Sequence, residues 1–470
     1  MPPVVAAAVC VIGVFGLFWL SRDQNARASF ALWIPTFWFL IVCSRPVGMW
    51  LGSQPDALTA ADLLDGSPVD RFVFIVLILA GLAVVFTRGR LVGRLLLANG
   101  PIILFYLYCA SSILWSDYPE VSFKRWIKAL GDLEMVIIVL TDSAPLSAFN
   151  RVLARLAYFL IPASIVLIKY FPQYGLVYFP WGGKPSIGGV TTNKNSLGAI
   201  CLCLGLWVWW RFLSVYRGRK SSGRSRQLLA YAIVLAMVVW LFRSSNSMTS
   251  LNCFLMASLL ITIAGFRLTM RRPAVLHALI LVMLVVSSSV LFLDTSPDVL
   301  EFMGRNSTLT DRTEIWHAVL PLVKNPWFGT GYESFWLGPR LAAMWSQYWW
   351  HPQEAHNGYL EVYLNLGLVG IALLTVVLLV GYRTVIKAWR GGAPEGRLML
   401  AYFFAALVYN FTEAAFFKIQ AVTWIFCLFA IVVAPEFSLG RSPAPSAEIS
   451  NTSGRLSDVR VPSAMNHRAI

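Results

Sequence analysis

The stretch LNLGLVGIALLTVVLLVGY, residues 364–382, contains no charged side chain. About 20 apolar residues in a helix cross the ~30 Å hydrocarbon core of a bilayer, so this stretch predicts a membrane-spanning helix. Similar runs recur along the whole chain, which predicts about thirteen spans. The other predicted spans are residues 3–20, 29–45, 72–87, 96–115, 126–141, 152–170, 196–214, 228–242, 249–266, 274–293, 398–413 and 419–435.

The composition agrees with a membrane protein. Hydrophobic residues make up 57% of the 470 residues, charged residues make up 13%, and the mean hydropathy is +0.66. A soluble domain carries roughly 25% charged residues, about twice that share. The seven cysteines lie in apolar runs, without the spacing of a disulfide framework or a metal site. The chain is therefore predicted to be an all-α polytopic integral membrane protein with about 12–13 transmembrane helices and one large outer loop.

Lysine and arginine concentrate in short segments between the apolar runs, which places those segments in the cytoplasm. They are residues 87–94, 217–226, 266–272 and 382–392. The net charge of +15 therefore reflects topology, and binding to nucleic acid is not expected. Alternation of the spans then places a second set of segments at the outer face, namely residues 46–71, 116–125, 171–195, 243–248 and 294–362.

These assignments divide the chain into four parts. They are an N-terminal transmembrane bundle (1–293), a large outer loop (294–362), C-terminal transmembrane helices (363–436) and a cytoplasmic tail (437–470). The tail is rich in Ser, Pro and charge and is predicted to be disordered. The outer loop contains a predicted amphipathic helix that begins near Thr310 or Asp311. Its apolar face consists of Ile315, Trp316, Val319, Leu322 and Val323, at helical spacing.

Positive side chains at the outer face run against the usual distribution of charge, so they indicate a possible function. The arginine fork binds phosphate through two parallel hydrogen bonds and keeps its charge at any physiological pH. Each cation taken alone also fits an ordinary solvated loop charge. Together they predict an electropositive pocket for a phosphate group at the membrane surface. The candidates are Arg125, Lys194, Arg243, Arg305 and Arg312.

The segment EAHNGYLEVY, residues 354–363, leads into the span quoted first and carries polar side chains. Asn357, Glu361 and Asn365 recur every four residues and form a stripe about 12 Å long, which must face the protein interior. His356 lies at the outer end of this stripe, where an imidazole can accept a proton near neutral pH. A base at His356 beside phosphate-binding cations suits a group transfer from a lipid phosphate. We expect Asn357 or Glu361 to orient the imidazole ring.

A second carboxylate within a predicted span is Glu413, near the outer end of residues 398–413. It can orient His356, or it can form a purely structural pair with Lys418. No metal and no cofactor are expected.

Several motifs resemble those of the bacterial O-antigen ligase and Wzy-type polysaccharide polymerase superfamily, and most of all the succinoglycan-type exopolysaccharide polymerases. The motifs are ILWSDYPEVSFKR (113–125), TTNKNSLG (191–198), LTDRTEIW (309–316), GTGYESFW (329–336), HNGYLEVYLNLGLVG (356–370) and NFTE (410–413). The resemblance implies a GT-C-like fold in the bacterial inner membrane, with the large loop and the active site facing the periplasm. It also implies that His356 activates the acceptor and that Arg312 binds a diphosphate. A second cation of the family corresponds to Lys194 or Arg243.

The resemblance implies a metal-independent, inverting glycosyltransferase that polymerises undecaprenyl-diphosphate-linked repeat units. Its partners would be that lipid-linked donor, a saccharide acceptor and the bilayer, with chain-length regulators and export proteins as further candidates. One alternative is an O-antigen ligase that moves glycan onto lipid A core or another acceptor. A different class is a lipid-linked oligosaccharide flippase or another transporter. Transporters tend to show repeated halves and broken helices, whereas here the polar groups gather at one face and no repeat is visible. The short tail disfavours a membrane-embedded sensor.

Overall fold

The computed structural model describes residues 1–22, 29–53, 64, 66–178, 185–218, 223–292 and 308–432. Nearly all regular structure in these residues is helical, and each predicted span overlaps at least one helix. The helices are α1 (Pro3–Leu20), α2 (Trp33–Val42), α3 (Val47–Trp50), α4 (Pro68–Thr87), α5 (Gly89–Ala98), α6 (Gly100–Ser111), α7 (Pro119–Leu140), α8 (Pro145–Tyr170), α9 (Pro172–Gly175), α10 (Lys194–Arg217), α11 (Arg224–Ser245), α12 (Met248–Ile263), α13 (Arg267–Arg271), α14 (Pro273–Phe292), α15 (Thr308–Val319), α16 (Gly338–Gln347), α17 (Gly358–Arg390), α18 (Pro394–Tyr409) and α19 (Val422–Ile431). Short 3-10 turns cover Phe30–Leu32, Ser112–Trp115 and Leu320–Leu322, and two-residue strands β1 (Leu176–Val177) and β2 (Ser186–Ile187) pair antiparallel.

The all-α polytopic membrane class is confirmed. Within the described residues, six helices are long and apolar enough to cross a membrane. A seventh span results if α5 and the helical stretch from Gly100 to Trp115, bent by 89° relative to each other, count as one. Four further apolar helices are shorter, at 10–17 residues. The count of thirteen spans therefore stays a prediction.

Three of the four segments expected to be cytoplasmic loops are mostly helical instead. One of them, residues 266–272, contains α13 (Arg267–Arg271). Residues 87–94 lie mostly within α5, and most of residues 382–392 belongs to α17, which continues to Arg390. The charged side chains there do not end the helix, because long Lys and Arg side chains can reach water from a helix end. The helix predicted for residues 364–382 is thus longer at both ends.

Helix α17 is broken at Gly367, whose φ of 65° and ψ of −162° are not helical. Residues 326–331 run alongside the break and satisfy the freed backbone groups. The four bonds are Leu368 N–H to Pro326 O (2.9 Å), Val369 N–H to Trp327 O (3.1 Å), Thr330 N–H to Leu364 O (3.2 Å) and Gly331 N–H to Asn365 O (2.9 Å). Such pairing is required wherever backbone is irregular within a membrane. The break is filled by protein rather than by a central cavity.

Residues between Ile315 and Leu364 pack around a small hydrophobic cluster of their own. Ile315 and Val319 of α15 are fully buried there, together with Phe335, Leu341 and Leu364. Trp316, Leu322 and Val323 of the predicted apolar face pack against the same cluster and are partly buried, but Leu322 and Val323 lie beyond the end of α15 at Val319. The helix begins at Thr308, earlier than the predicted cap at Thr310 or Asp311. Arg312 is therefore held on a helix that is anchored to the rest of the fold.

Candidate active site

Two loops build the candidate site: residues 351–357, before α17, and residues 410–421, between α18 and α19. The Asn410 side-chain oxygen accepts hydrogen bonds from the amides of Ala415 (2.8 Å) and Phe416 (2.9 Å), which forms a tight turn. The Asn410 carbonyl accepts from the Gly358 amide at 2.8 Å. A β-carbon on Gly358 would lie 1.8 Å from the Asn410 side-chain oxygen, so the two loops can meet only because residue 358 is glycine.

Glu413 is the centre of the cluster, and its side chain is only 5% exposed. Its Oε2 lies 3.3 Å from His356 Nδ1. Its Oε1 accepts hydrogen bonds from Arg312 at 3.0 Å and from the Asn195 side-chain amide at 3.1 Å. Helices α10 and α15 and both loops therefore converge on one buried carboxylate, which joins the predicted histidine to the predicted arginine.

Glu354 completes the cluster from the other side. Its Oε1 lies 2.9 Å from His356 Nδ1, and its Oε2 forms an ion pair with Lys418. Burial alone would raise the pKa of Glu354, but Lys418 and His356 outweigh it and hold that pKa well below its usual range. Burial alone would lower the pKa of Lys418, but Glu354 and the neighbouring carboxylates raise it above its usual range. This ion pair is therefore charged at neutral pH.

His356 presents one ring nitrogen to both carboxylates. Because Nδ1 faces Glu354 and Glu413, Nε2 is the nitrogen left for a substrate, and no described residue bonds to it. Burial lowers the pKa of His356, but the two carboxylates overcome this effect and raise the pKa to about 9. A carboxylate on Nδ1–H fixes the ring orientation and stabilises the imidazolium that forms when Nε2 takes a proton, as in hydrolase triads.

The backbone around this cluster adopts a conformation that costs energy. Five non-glycine residues here have positive φ: Glu333 (53°), His351 (52°), His356 (49°), Phe417 (54°) and Gln420 (57°). Such residues are uncommon and tend to collect at functional sites, where the surrounding structure holds them in place.

Three hydrogen bonds to other parts of the chain hold the loop of residues 410–421 in place. The Tyr332 hydroxyl donates to the Phe417 carbonyl at 2.6 Å, and Glu333 Oε1 accepts from the Ile419 amide at 3.2 Å. Asp132 Oδ2 accepts from the Gln420 amide at 3.1 Å. Glu413 and Lys418 are therefore presented by a constrained loop.

The other predicted cations differ in their exposure and in the residues that they contact. Lys194 is exposed, at the first position of α10 beside Asn195. Arg243 is exposed in the last turn of α11, and none of its described contacts reaches the cluster. Arg125 pairs with Glu333 at 4.0 Å and donates to its carbonyl, one contact away from the loop that carries Lys418. Arg305 lies outside the described residues.

The polar stripe on α17 has a structural use in this fold. Asn357 caps the helix by accepting from the Tyr359 and Leu360 amides at 3.0 and 3.1 Å. Glu361 accepts from Trp336 Nε1 at 2.7 Å and from the Ala355 amide, and Asn365 accepts from the Ser334 and Phe335 amides. The stripe thus anchors the outer loop to α17. Direct orientation of His356 by Asn357 or Glu361 does not match the structure, because Glu354 and Glu413 make those contacts.

Glu354 and Asn195 were missed as members of the site. Glu354 lies only two residues before His356, but no helical or strand periodicity relates the two in a loop. Asn195 follows the helix cap Asn193, and its contact with Glu413 joins residues 218 positions apart in the chain. Only the three-dimensional fold brings these side chains to the histidine.

Glu354, His356 and Glu413 offer three ligand atoms within 4.8 Å of one another, a spacing that could hold a metal ion. Their carboxylates, however, already face Arg312, Lys418 and the His356 ring. A divalent cation would have to displace these positive groups, so the residues present fit a metal poorly.

The fold and the cluster define a polytopic membrane protein with a carboxylate-held histidine and an arginine. Residues 188–375 match the family model described as Wzy_C, O-antigen ligase, and this range includes Lys194, Arg243, Arg312 and His356 but not Glu413. The chain is also 24% identical over 340 residues to the exopolysaccharide production protein ExoQ of Rhizobium meliloti (strain 1021), covering 68% of this chain and 72% of that protein. The resemblance to the O-antigen ligase and Wzy-type superfamily is thereby confirmed. These similarities support a membrane glycosyltransferase-like activity of the ligase or polymerase kind.

Proposed function

We propose that the protein polymerises undecaprenyl-diphosphate-linked oligosaccharide repeat units into exopolysaccharide or O-antigen at the periplasmic face of the bacterial inner membrane. The observation that carries this proposal is the junction of His356 and Arg312 on Glu413, at bond distances of 3.3 and 3.0 Å. A base and a phosphate-binding cation held by one carboxylate are suited to glycosyl transfer from a lipid diphosphate.

Arg312 is the proposed contact of the donor diphosphate. The described structure uses one of its terminal nitrogens on Glu413, and a guanidinium carries five N–H donors in all. The remaining donors can hold phosphate oxygens and stabilise the charge that grows as the glycosidic bond breaks. Lys194, beside Asn195, is the better placed of the two candidates for the second cation. Arg243, Arg305 and Arg125 stay as proposed contacts of the wider substrate. Asn357 and Glu361, which were also predicted to bind substrate, instead use their side-chain oxygens within the protein.

His356 is the proposed general base. In the transfer step, the acceptor hydroxyl gives its proton to Nε2 as its oxygen bonds to the anomeric carbon. The bond from that carbon to the diphosphate oxygen breaks, and its electron pair leaves on the diphosphate. The nucleophile attacks from the face opposite the leaving group, so the anomeric configuration inverts. The step needs no metal, because arginine and lysine supply the positive charge.

The domain division follows from this proposal. Residues 294–362 are the periplasmic part that carries Arg312 and His356, and residues 1–293 and 363–436 form the bundles that support it. The tail of residues 437–470 lies outside the described structure.

An O-antigen ligase, which moves glycan onto lipid A core or another acceptor, would use the same residues. The family model carries the description of the ligase, whereas ExoQ is named for exopolysaccharide production. The product distinguishes them: a polymerase yields a ladder of repeat units on a gel, whereas a ligase attaches finished glycan without extending it. A flippase or other transporter requires no general base, so the Glu354–His356–Glu413 arrangement disfavours it.

The test of the proposal is transfer by purified His356→Ala protein in proteoliposomes with a lipid-linked repeat-unit donor. Loss of a general base typically costs about 10²–10⁴ in rate. Near-wild-type polymer yield from a well-folded His356→Ala protein would exclude the proposed role. Donor movement across the bilayer without any glycan transfer would indicate a flippase instead.

A further inference from the structure

A cleft of about 360 Å³ lies between the 3-10 turn Ser112–Trp115 and residues 324–330. Small-molecule sites typically occupy about 300–1,000 Å³, so the cleft is large enough for a ligand. The side chains that line it include Trp115, Asp117, Lys324, Asn325 and Phe328. The two motifs that contribute this lining, ILWSDYPEVSFKR and GTGYESFW with the residues just before it, have no part in the proton transfer.

Two aromatic rings form a corner of the cleft. The ring centroids of Trp115 and Phe328 are 5.6 Å apart, and the ring planes meet at 64°. The indole N–H of Trp115 donates to the Phe328 carbonyl at 3.2 Å, which fixes the Trp115 ring. Phe328 is 45% exposed although it is a large apolar side chain. The corner therefore offers two apolar faces to a ligand.

The polar groups around the corner include both donors and acceptors. Asp117 uses Oδ2 on Arg340 at 2.6 Å and remains 44% exposed, so its other oxygen is available as an acceptor. Asn325 uses its side-chain oxygen on the Trp327 and Phe328 amides, which leaves its NH₂ group as a donor. Lys324 is exposed, and the described residues include no partner for its ammonium group. A negative, a positive and a neutral polar group thus surround the aromatic faces.

This combination suits a carbohydrate better than a lipid. A sugar ring has apolar C–H faces that stack on aromatic rings and hydroxyls that both donate and accept hydrogen bonds. An acyl chain would leave Asp117 and Lys324 without partners, at a cost in free energy. A phosphate headgroup would meet the negative charge of Asp117.

The cleft lies at the same end of α17 as His356. Its floor, at Gly329 and Thr330, is bonded to the region of the break at Gly367. Nine residues of helix separate Gly358 from Gly367, which corresponds to roughly 13 Å at 1.5 Å per residue. A chain of a few sugar rings can span that distance.

We propose that this cleft binds the glycan of the transferase substrate, with a sugar ring stacked on Trp115 and Phe328 while the reacting end lies at His356. This inference rests on the proposed function, because it takes the ligand to be an oligosaccharide. It assigns the cleft to holding a neutral or weakly charged glycan during transfer.

The experiment measures binding of the repeat-unit oligosaccharide to the full-length protein in nanodiscs by isothermal titration calorimetry. The probe is released by mild hydrolysis of the polysaccharide that the producing cell makes. Trp115→Ala is expected to weaken binding about tenfold, the scale of one lost aromatic stacking contact. Trp115→Phe keeps an aromatic face but loses the bond to the Phe328 carbonyl, and is expected to stay within about threefold of wild type. Trp349→Ala, at a 69% exposed aromatic outside the cleft lining, is the matched control and is expected to change nothing.

The outcomes separate the cleft from the active site. Trp115→Ala binding as well as wild type, while His356→Ala still abolishes turnover, would overturn the glycan cleft and leave the proposed function intact. Equal losses in Trp115→Phe and Trp115→Ala would assign Trp115 to loop structure and overturn the stacking role. Loss of oligosaccharide binding in phosphatidylglycerol nanodiscs but not in phosphatidylcholine nanodiscs would assign the cleft to a lipid headgroup. Trp115-dependent binding with normal turnover of His356→Ala would support the cleft and refute the proposed general-base role of His356.

Discussion

Replacing Glu354 with Gln is expected to shift the pH dependence of glycosyl transfer to lower pH. Glu354 lies 2.9 Å from His356 Nδ1 and, with Glu413, raises the pKa of His356 to about 9. With that pKa, about 1% of the imidazole is neutral at pH 7 and about 10% at pH 8. If neutral His356 is the base, the wild-type rate climbs about tenfold over that interval and levels off above about pH 9.

The glutamine of the variant keeps an oxygen that accepts from Nδ1–H but removes one of the two negative charges. A neighbouring opposite charge typically shifts a pKa by about 1–3 units, so the midpoint should fall by that amount, toward the ordinary histidine value of ~6.5. The assay is the initial rate of polymer formation in proteoliposomes from pH 6 to 10, with melting temperatures recorded because Lys418 loses its partner. Glu314→Gln, at an exposed position of α15, is the control and should keep the wild-type profile.

Two results would refute this reasoning. An unchanged midpoint in Glu354→Gln would show that Glu354 does not set the pKa of the catalytic group. A wild-type rate that falls as the pH rises through 9 would show that the imidazolium form is the active one. His356 would then act as a cation on the diphosphate, and another group would remove the acceptor proton.

Four further outcomes are expected. Arg312→Ala should raise the donor concentration for half-maximal rate at least about tenfold, and Arg312→Lys should recover only part of the loss because lysine lacks the bidentate fork; equal rates at low donor concentration would contradict this. Gly358→Ala should lower the free energy of unfolding by about 1–3 kcal/mol, because the added β-carbon would lie 1.8 Å from Asn410 Oδ1. Gly93→Ala is the control and should leave stability unchanged in thermal denaturation, because no atom lies within 4 Å of the added β-carbon. Because its pKa is raised to about 9, protonated His356 stabilises the folded protein fully below about pH 6.5, and this stabilisation is lost as the pH rises through 9. The melting temperature of the wild type should therefore fall over this range, whereas that of His356→Gln should not change. Addition of EDTA to the transfer assay should leave the rate unchanged, and inactivation reversed by a divalent metal would assign the Glu354, His356 and Glu413 group to metal binding.

The sequence was sufficient to predict the membrane class and to single out Arg312 and His356 as candidate site residues. In a chain of this composition, a long uncharged run predicts a membrane-spanning helix. The helices could therefore be located along the chain, although their exact ends could not. Arg312 and His356 were identified because each is a polar group of suitable chemistry beside an apolar segment. Their meeting on Glu413 depends on contacts between α15, α17 and the loop after α18, which local patterns do not encode.

Other features of the structure have no clear signal in the sequence. The stripe of Asn357, Glu361 and Asn365 has the spacing of a functional surface, yet its polar atoms bind the backbone and side chains of the outer loop. The break at Gly367 lies within an apolar run that resembles a continuous helix. It is stable only because residues 326–331 supply the missing backbone partners, and that pairing is a tertiary effect.

The central claim is that Arg312 holds the diphosphate of the lipid-linked donor while His356 takes the proton of the acceptor hydroxyl in the same transfer step. The most direct test is to measure, on purified proteins in nanodiscs, both the dissociation constant for the lipid-diphosphate donor and the rate of transfer. His356→Ala should bind the donor as wild type does and lose about 10²–10⁴ in rate, and Arg312→Ala should bind the donor at least about tenfold more weakly. Wild-type transfer by His356→Ala, or unchanged donor binding by Arg312→Ala, would contradict the account.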